Sequence, residues 1–210
     1  IKSPQRIESD EGSLMSRKIE SFTTTVPFWN PFVTPIELQK ASELQLEALQ
    51  TTPSNTQVGE YVLVLAHDPE TLKHRTPLFN GIMYSRGGLS RAETELSAVA
   101  TSVTNECIYC TAVHASRYND LTKTTQDMAT IFSEPDSSSL EERKHSIYDF
   151  SHKLSLSPPE ICSDDVTKLT QQGLESDEIL DVVLSSAIFA WANRLMLGLG
   201  EPLESRPQLS

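Results

Sequence analysis

Four residues in a twenty-residue stretch have the types and spacing for thiol chemistry: Glu95, Cys107, Cys110 and His114. On a helix, positions i and i+3 are neighbours, with Cβ atoms about 5–6 Å apart. A disulfide needs Cα atoms about 4.4–6.8 Å apart, so Cys107 and Cys110 can pair with modest adjustment. His114 follows Cys110 by four residues on the same face, where an imidazole titrating near neutrality can take or return a thiol proton. The nucleophile is the thiolate, and a free Cys with a pKa of about 8.5 is mostly protonated at neutral pH. A helix N-terminus would favour a thiolate at Cys107, whereas His114 is better placed to deprotonate Cys110, so these arguments leave the attacking sulfur open. Glu95, on the preceding helix, shares a face with Val99 and Ser102 at the edge of an apolar stripe. A carboxyl there is expected to have a raised pKa and to shuttle protons.

Other chemistries of the same residues fail on spacing. A c-type haem site needs His directly after the second Cys, and Thr111 stands there. Zinc needs a fourth ligand and preferably a second pair, but Cys162 is distant and alone, so no metal is expected. A thioredoxin-like motif needs a βαβ setting, and no such alternation occurs. His67, His74, His145 and His152 read as surface or capping residues, Cys162 as a buried or idle thiol, and Asn193 and Arg194 as packing or inter-helix hydrogen-bonding residues.

The elements that must hold this group read as helices. Ser90 and Glu93 form an S-x-x-E capping box ahead of Leu96, Val99, Ala100 and Val103, predicting a helix over 90–104 and explaining Glu93 by capping alone. A second helix over 106–119 carries both cysteines and His114. Apolar spacing and breakers predict further helices over 36–51, 57–67, 69–84, 140–154 and 164–172. Ser176, Asp177 and Glu178 then open a long final helix that Gly198, Gly200 and Pro202 stop. At an offset of 85 residues, Leu89, Glu93 and Val99 align with Leu174, Glu178 and Leu184, a weak echo that suggests a two-part helical plan. Residues 1–26 read as a flexible or surface-draped arm, 27–205 as one domain and 206–210 as a tail. The aromatic patch of Phe28, Trp29 and Phe32 is expected to pack on the domain.

Composition bounds the rest. The chain has 210 residues, long enough for a core of its own, and only 8 Gly with 7% aromatics, which favours an all-α domain over a many-turned sandwich or barrel. With 17 Lys/Arg against 29 Asp/Glu, the formal charge of −12 disfavours a nucleic-acid partner. The charge is uneven: residues 134–182 hold twelve acids and four bases, while 85–123 hold four of each. No run of eighteen apolar residues lacks charge, so no membrane span is expected. Three cysteines make no disulfide scaffold, and the expected location is cytoplasmic, with an organellar one left open because the first residue is Ile.

The stretch from Leu89 to His114 has the pattern E-x11-C-x2-C-x3-H. It resembles the signature of the AhpD-like superfamily, which includes carboxymuconolactone decarboxylases and alkylhydroperoxidases. Leu65 to Glu70 and Trp191 to Leu195 are similar to its peroxidase-related branch, so the resemblance runs over about residues 27–200. It implies an AhpD-like helical domain of antiparallel helix pairs and a cofactor-free reduction of hydroperoxides. Cys110 would attack the peroxide, Cys107 would resolve, and Glu95 with His114 would relay protons. It also implies an external dithiol or thioredoxin-like reductant and a homo-oligomer. Tyr109 departs from the family pattern, since the alkylhydroperoxidases carry His between the cysteines. A lactone decarboxylase and a non-enzymatic redox-sensing protein are the competing readings.

Overall fold

The computed structural model describes residues 16–49, 57–134, 137 and 139–207. Its architecture is helical, with α1 (Glu43–Ala48), α2 (Glu60–Leu65), α3 (Pro69–Tyr84), α4 (Arg91–Thr104), α5 (Ile108–Thr122), α6 (Gln126–Ser133), α7 (Glu142–Ser155), α8 (Ser163–Gln171) and α9 (Ser176–Leu199). Two four-residue strands, β1 (Phe28–Pro31) and β2 (Gly200–Leu203), pair antiparallel and add a small sheet to the helical fold.

Helix α4 is the central element. Every residue from Thr94 to Ser102 is buried, because α5, α7 and α9 pack around it. Its start is the expected capping box: the Glu93 backbone N–H donates to Ser90 Oγ, and the Ser90 N–H donates to the Glu93 carboxylate. The echo at offset 85 has a structural counterpart, since α9 opens with its own capping box between Glu175 and Glu178. Arg143 on α7 joins the two boxes, with Nε 2.6 Å from Glu93 and Nη2 2.8 Å from Glu178. Leu89 and Leu174, one before each cap, are buried in the same apolar cluster with Leu96, Tyr118, Ile147 and Val182.

Several boundaries differ from the sequence reading. The helix expected over 36–51 is a 3₁₀ turn (Leu38–Lys40) followed by α1, because Ser42 and Gln45 form a capping box that starts a new helix. Helix α6 is absent from the sequence reading; its eight residues bury only Met128, Thr130 and Ile131, too short a stripe for periodicity to single out. The aromatic patch packs on the domain by forming β1, where the Trp29 indole donates to the Met196 carbonyl at 3.2 Å. A Cβ at Gly200 would come 2.4 Å from the Trp29 ring, so only glycine lets β2 pass there. Residues 1–15 of the expected arm lie outside the described residues. Its remainder is tied down: the Ile19 N–H donates to the Pro202 carbonyl at 3.0 Å and the Glu204 N–H to the Arg17 carbonyl at 2.9 Å. Helix α9 is long and apolar enough to cross a bilayer, but Val182, Ile188, Phe189, Ala192 and Met196 on it belong to the protein core.

Candidate functional site

The tight corner between α4 and α5 places the cysteines. Glu106 adopts a left-handed φ of 55°, unusual for a residue with a Cβ, and the Cys107 N–H then reaches back to the Ser102 carbonyl at 2.9 Å. Cys107 becomes the N-cap of α5, with Cys110 at the third residue of the helix. Both are free thiols, and their Sγ atoms lie 2.8 Å apart.

The two sulfurs differ in environment. Cys107 is 1% exposed and packs with Trp29, Val64 and Met196. Cys110, together with His114, lines a cavity of about 530 Å³ between α2, α3, α5, α9 and β1. The hydrogen bond from Cys110 lowers the Cys107 pKa despite burial, and the Asn193 side chain helps. Burial pushes the Cys110 thiol well up, and the neighbouring Cys107 adds to the shift. Of the two sulfurs, Cys107 at the start of α5 has the surroundings that favour a thiolate.

His114 and Glu95 come together as their spacing anticipates. The His114 Nδ1 is hydrogen-bonded to one Glu95 carboxylate oxygen, and Arg91 donates to the other from the preceding turn. The raised pKa expected for Glu95 is overturned. Burial does push its carboxyl up, but His114, Arg91 and Arg117 together hold it below the ordinary value. Burial pushes the His114 imidazole down, and the nearby carboxylate only partly offsets this. The pair is thus a carboxylate with a neutral imidazole: Nδ1–H is donated to Glu95 and Nε2 remains the basic nitrogen. The ring edge of Phe189 packs on the imidazole at 4.2 Å between centroids and holds its orientation.

Asn193 makes the inter-helix hydrogen bonds expected of it. It is fully buried, donates to Ser102 Oγ at 3.1 Å, accepts from Asn105 Nδ2 at 3.1 Å, and its amide helps to lower the Cys107 pKa. The available signal was a lone amide in the most apolar stretch of the chain, since a buried amide in such a stretch needs polar partners. Arg194, next to it, points outward and donates to the Ala190 carbonyl. Arg75 and Tyr61, which also line the cavity, carry no motif and were not singled out. Cys162 is exposed rather than buried and N-caps α8, with Sγ 3.2 Å from Asp165 Oδ2. His67 and His152 hydrogen-bond the Thr34 carbonyl and Thr104 Oγ1, away from the thiols.

Comparison with known proteins agrees with this geometry. Residues 69–135, which contain α3 to α6 and all four candidate residues, match the carboxymuconolactone decarboxylase family. No curated protein matches the sequence. Among solved structures, an uncharacterized peroxidase-related protein with an alkylhydroperoxidase AhpD core from Ralstonia eutropha JMP134 superposes with a TM-score of 0.69 at 22% identity, covering 85% of this chain and 92% of its own. A peroxidase-related protein from Silicibacter sp. TM1040 gives 0.67 at 22%, covering 85% and 94%. The debrominase Bmp8 gives 0.68 at 17%, covering 85% and 93%. These likenesses show a shared fold.

Proposed function

Residues 69–135 belong to the carboxymuconolactone decarboxylase family and the fold around them is AhpD-like; from that premise we propose that the protein is a cofactor-free thiol peroxidase that reduces organic hydroperoxides. One observation carries the reading: Cys110 lies on the cavity wall beside the Glu95–His114 pair, with the Cys107 sulfur 2.8 Å behind it. This access supports Cys110 as the attacking sulfur although the resting charge favours Cys107.

In the first step the Cys110 sulfur attacks the outer peroxide oxygen and the O–O bond breaks. The thiol proton passes through the imidazole Nε2 to the leaving alkoxide, so that thiol and hydroperoxide become sulfenic acid and alcohol. Glu95 stabilises the imidazolium formed in transit. The Cys107 sulfur then attacks the sulfenic sulfur, a disulfide forms and water leaves. An external dithiol, such as a thioredoxin-like protein, restores both thiols by exchange and is itself oxidised to a disulfide. Tyr109, with its hydroxyl held protonated by burial, lines the same cavity in place of the family His.

A homo-oligomer is part of the proposal. The outer side of α9 exposes Leu180, Leu184 and Trp191 at 37–55%, an apolar stripe suited to a second copy. Sedimentation of wild type and Trp191→Glu tests this, and a wild-type monomer refutes it.

The decisive experiment follows peroxide-dependent oxidation of a dithiol by wild type, Cys107→Ser and Cys110→Ser, with mass spectrometry of the Cys107–Cys110 disulfide. Loss of turnover in Cys110→Ser and a trapped sulfenic acid in Cys107→Ser are expected. Wild-type rates in both variants overturn the reading. Lactone turnover that survives thiol alkylation would instead identify a decarboxylase.

A further inference from the structure

The cavity that reaches Cys110 holds a second polar group that the chemistry above does not use. Arg75, on α3, lays its guanidinium 4.5 Å from the Phe79 ring centroid and 5.9 Å from that of Tyr61. Among the described residues no carboxylate pairs with it, and its Nε is buried without a hydrogen-bond partner. The Tyr61 hydroxyl, on α2, is likewise buried and unpartnered. Both side chains line the cavity.

An arginine out of water normally has an acceptor, because an unmet charged donor in a half-buried place carries a large desolvation cost. Here two donors, the Arg75 Nε and the Tyr61 hydroxyl, lie buried within the wall of the same cavity, and no group among the described residues answers them. The guanidinium is charged at every accessible pH, and its planar fork matches the two oxygens of a carboxylate. The only acid lining this cavity, Glu60, is directed to Arg206 at 2.5 Å.

The path from this pair to the reacting groups is apolar. Phe79 packs on Phe189 at 5.6 Å between centroids, and Phe189 packs on His114 at 4.2 Å. Ala192 and Met196 continue that wall beside Cys110. A cavity of about 530 Å³ is ample for a small amphipathic molecule. The geometry points to a carboxylate subsite at Arg75 and Tyr61, which selects hydroperoxides carrying a carboxylate at the end remote from the peroxide. This specificity rests on the peroxidase reading, whereas the subsite itself can be tested without turnover.

Two substrates isolate the carboxylate: cumene hydroperoxide and its para-carboxylate, 4-(2-hydroperoxypropan-2-yl)benzoate. The ratio of their kcat/KM values is the readout, which cancels any general damage to the fold. Wild type is expected to prefer the carboxylate by about tenfold or more. Arg75→Gln should bring the ratio to about one, Arg75→Lys should keep part of the preference, and Tyr61→Phe should reduce it less than Arg75→Gln. A wild-type ratio near one, or a ratio that Arg75→Gln leaves unchanged, overturns the subsite. Calorimetry of 4-isopropylbenzoate on the Cys107→Ser/Cys110→Ser protein gives the readout free of turnover. Binding that Arg75→Gln weakens about tenfold supports the subsite even if neither peroxide is reduced, in which case the peroxidase reading alone falls. No binding, or binding indifferent to Arg75, refutes the subsite even if both peroxides are reduced.

Discussion

Helix α4 has two buried polar faces of opposite character. On one, Ser97 Oγ lies 2.8–2.9 Å from the hydroxyls of Ser151, Ser185 and Ser186, and Thr101 accepts from Ser155 at 3.0 Å. All of these groups are small and neutral, and they satisfy one another between α4, α7 and α9. On the other face, Glu95 is equally buried but charged, and it is stabilised only by His114, Arg91 and Arg117 around it. None of these hydroxyls titrates near neutral pH, and none of the residues that carry them lines the cavity. The carboxylate face holds the Glu95–His114 pair, and His114 lines the cavity together with Cys110. One helix thus uses neutral hydrogen bonds to fix its neighbours and a compensated charge to position reactive groups.

Substitutions can separate these two roles. The largest effect is expected on the reactive side: Cys110→Ser should lower peroxide-dependent dithiol oxidation on the order of 10³-fold, measured in a coupled assay. Glu95→Gln should lower it about 10²-fold, since the imidazole loses the partner that orients it. It should also destabilise the protein by about 3–5 kcal/mol in denaturant titrations, because Arg91 then keeps its charge without a carboxylate. Ser97→Val is the contrasting variant. It should cost about 1–3 kcal/mol by leaving Ser151 and Ser185 short of a partner, while the oxidation rate stays within about twofold of wild type. A large loss of rate in Ser97→Val would erase the distinction between the faces.

Titration sharpens it further. The folded His114 pKa lies below its ordinary value of 6.5, so the folded protein binds fewer protons than the unfolded chain between those two points. The stability that its neutral form contributes is complete above about pH 6.5 and is lost as pH falls towards the folded pKa, at up to about 1.4 kcal/mol per pH unit. Glu95 acts in the same direction at lower pH, since its depressed pKa contributes stability that is lost as the solution falls below the ordinary carboxylate value. Unfolding midpoints of wild type and His114→Phe between pH 7 and 5 should therefore diverge, with the flatter curve in the variant. The smallest effect is expected at Arg143, whose bridge between the capping boxes of α4 and α9 is about a quarter exposed. Arg143→Met should cost about 1 kcal/mol or less, and the loss should shrink in high salt.

Much of this was legible in the chain. The capping box of Ser90 and Glu93 and the apolar period after it located α4 within a residue, and E-x11-C-x2-C-x3-H picked out two pairs, Glu95 with His114 and Cys107 with Cys110, that the fold brings into contact. The resemblance carried by that motif agrees with the family match and with the helical fold. Local signals succeed there because caps and periodicity act over one or two turns. They fail at α6, whose stripe is too short, and at β1, whose partner lies some 170 residues away.

The sign of the Glu95 shift was out of reach for a related reason. Sequence placed a carboxyl on a core-facing stripe, which argues for a raised pKa. The outcome depends on Arg117 and His114 arriving from α5, and a pattern along α4 does not contain them. Tyr61 and Arg75 belong to the same class, since no motif marks them in the sequence.

By itself, then, the sequence marked four residues whose types and spacing suit thiol chemistry and located most of the helices, because residue type and i to i+4 spacing are local properties. Tertiary structure alone decided which sulfur meets the cavity, which of the two has surroundings that favour a thiolate, and which other side chains line the cavity. Access, desolvation and charge balance are summed over every element that packs around a group, and α2, α3, α9 and β1 reach Cys110 from parts of the chain far from its own motif.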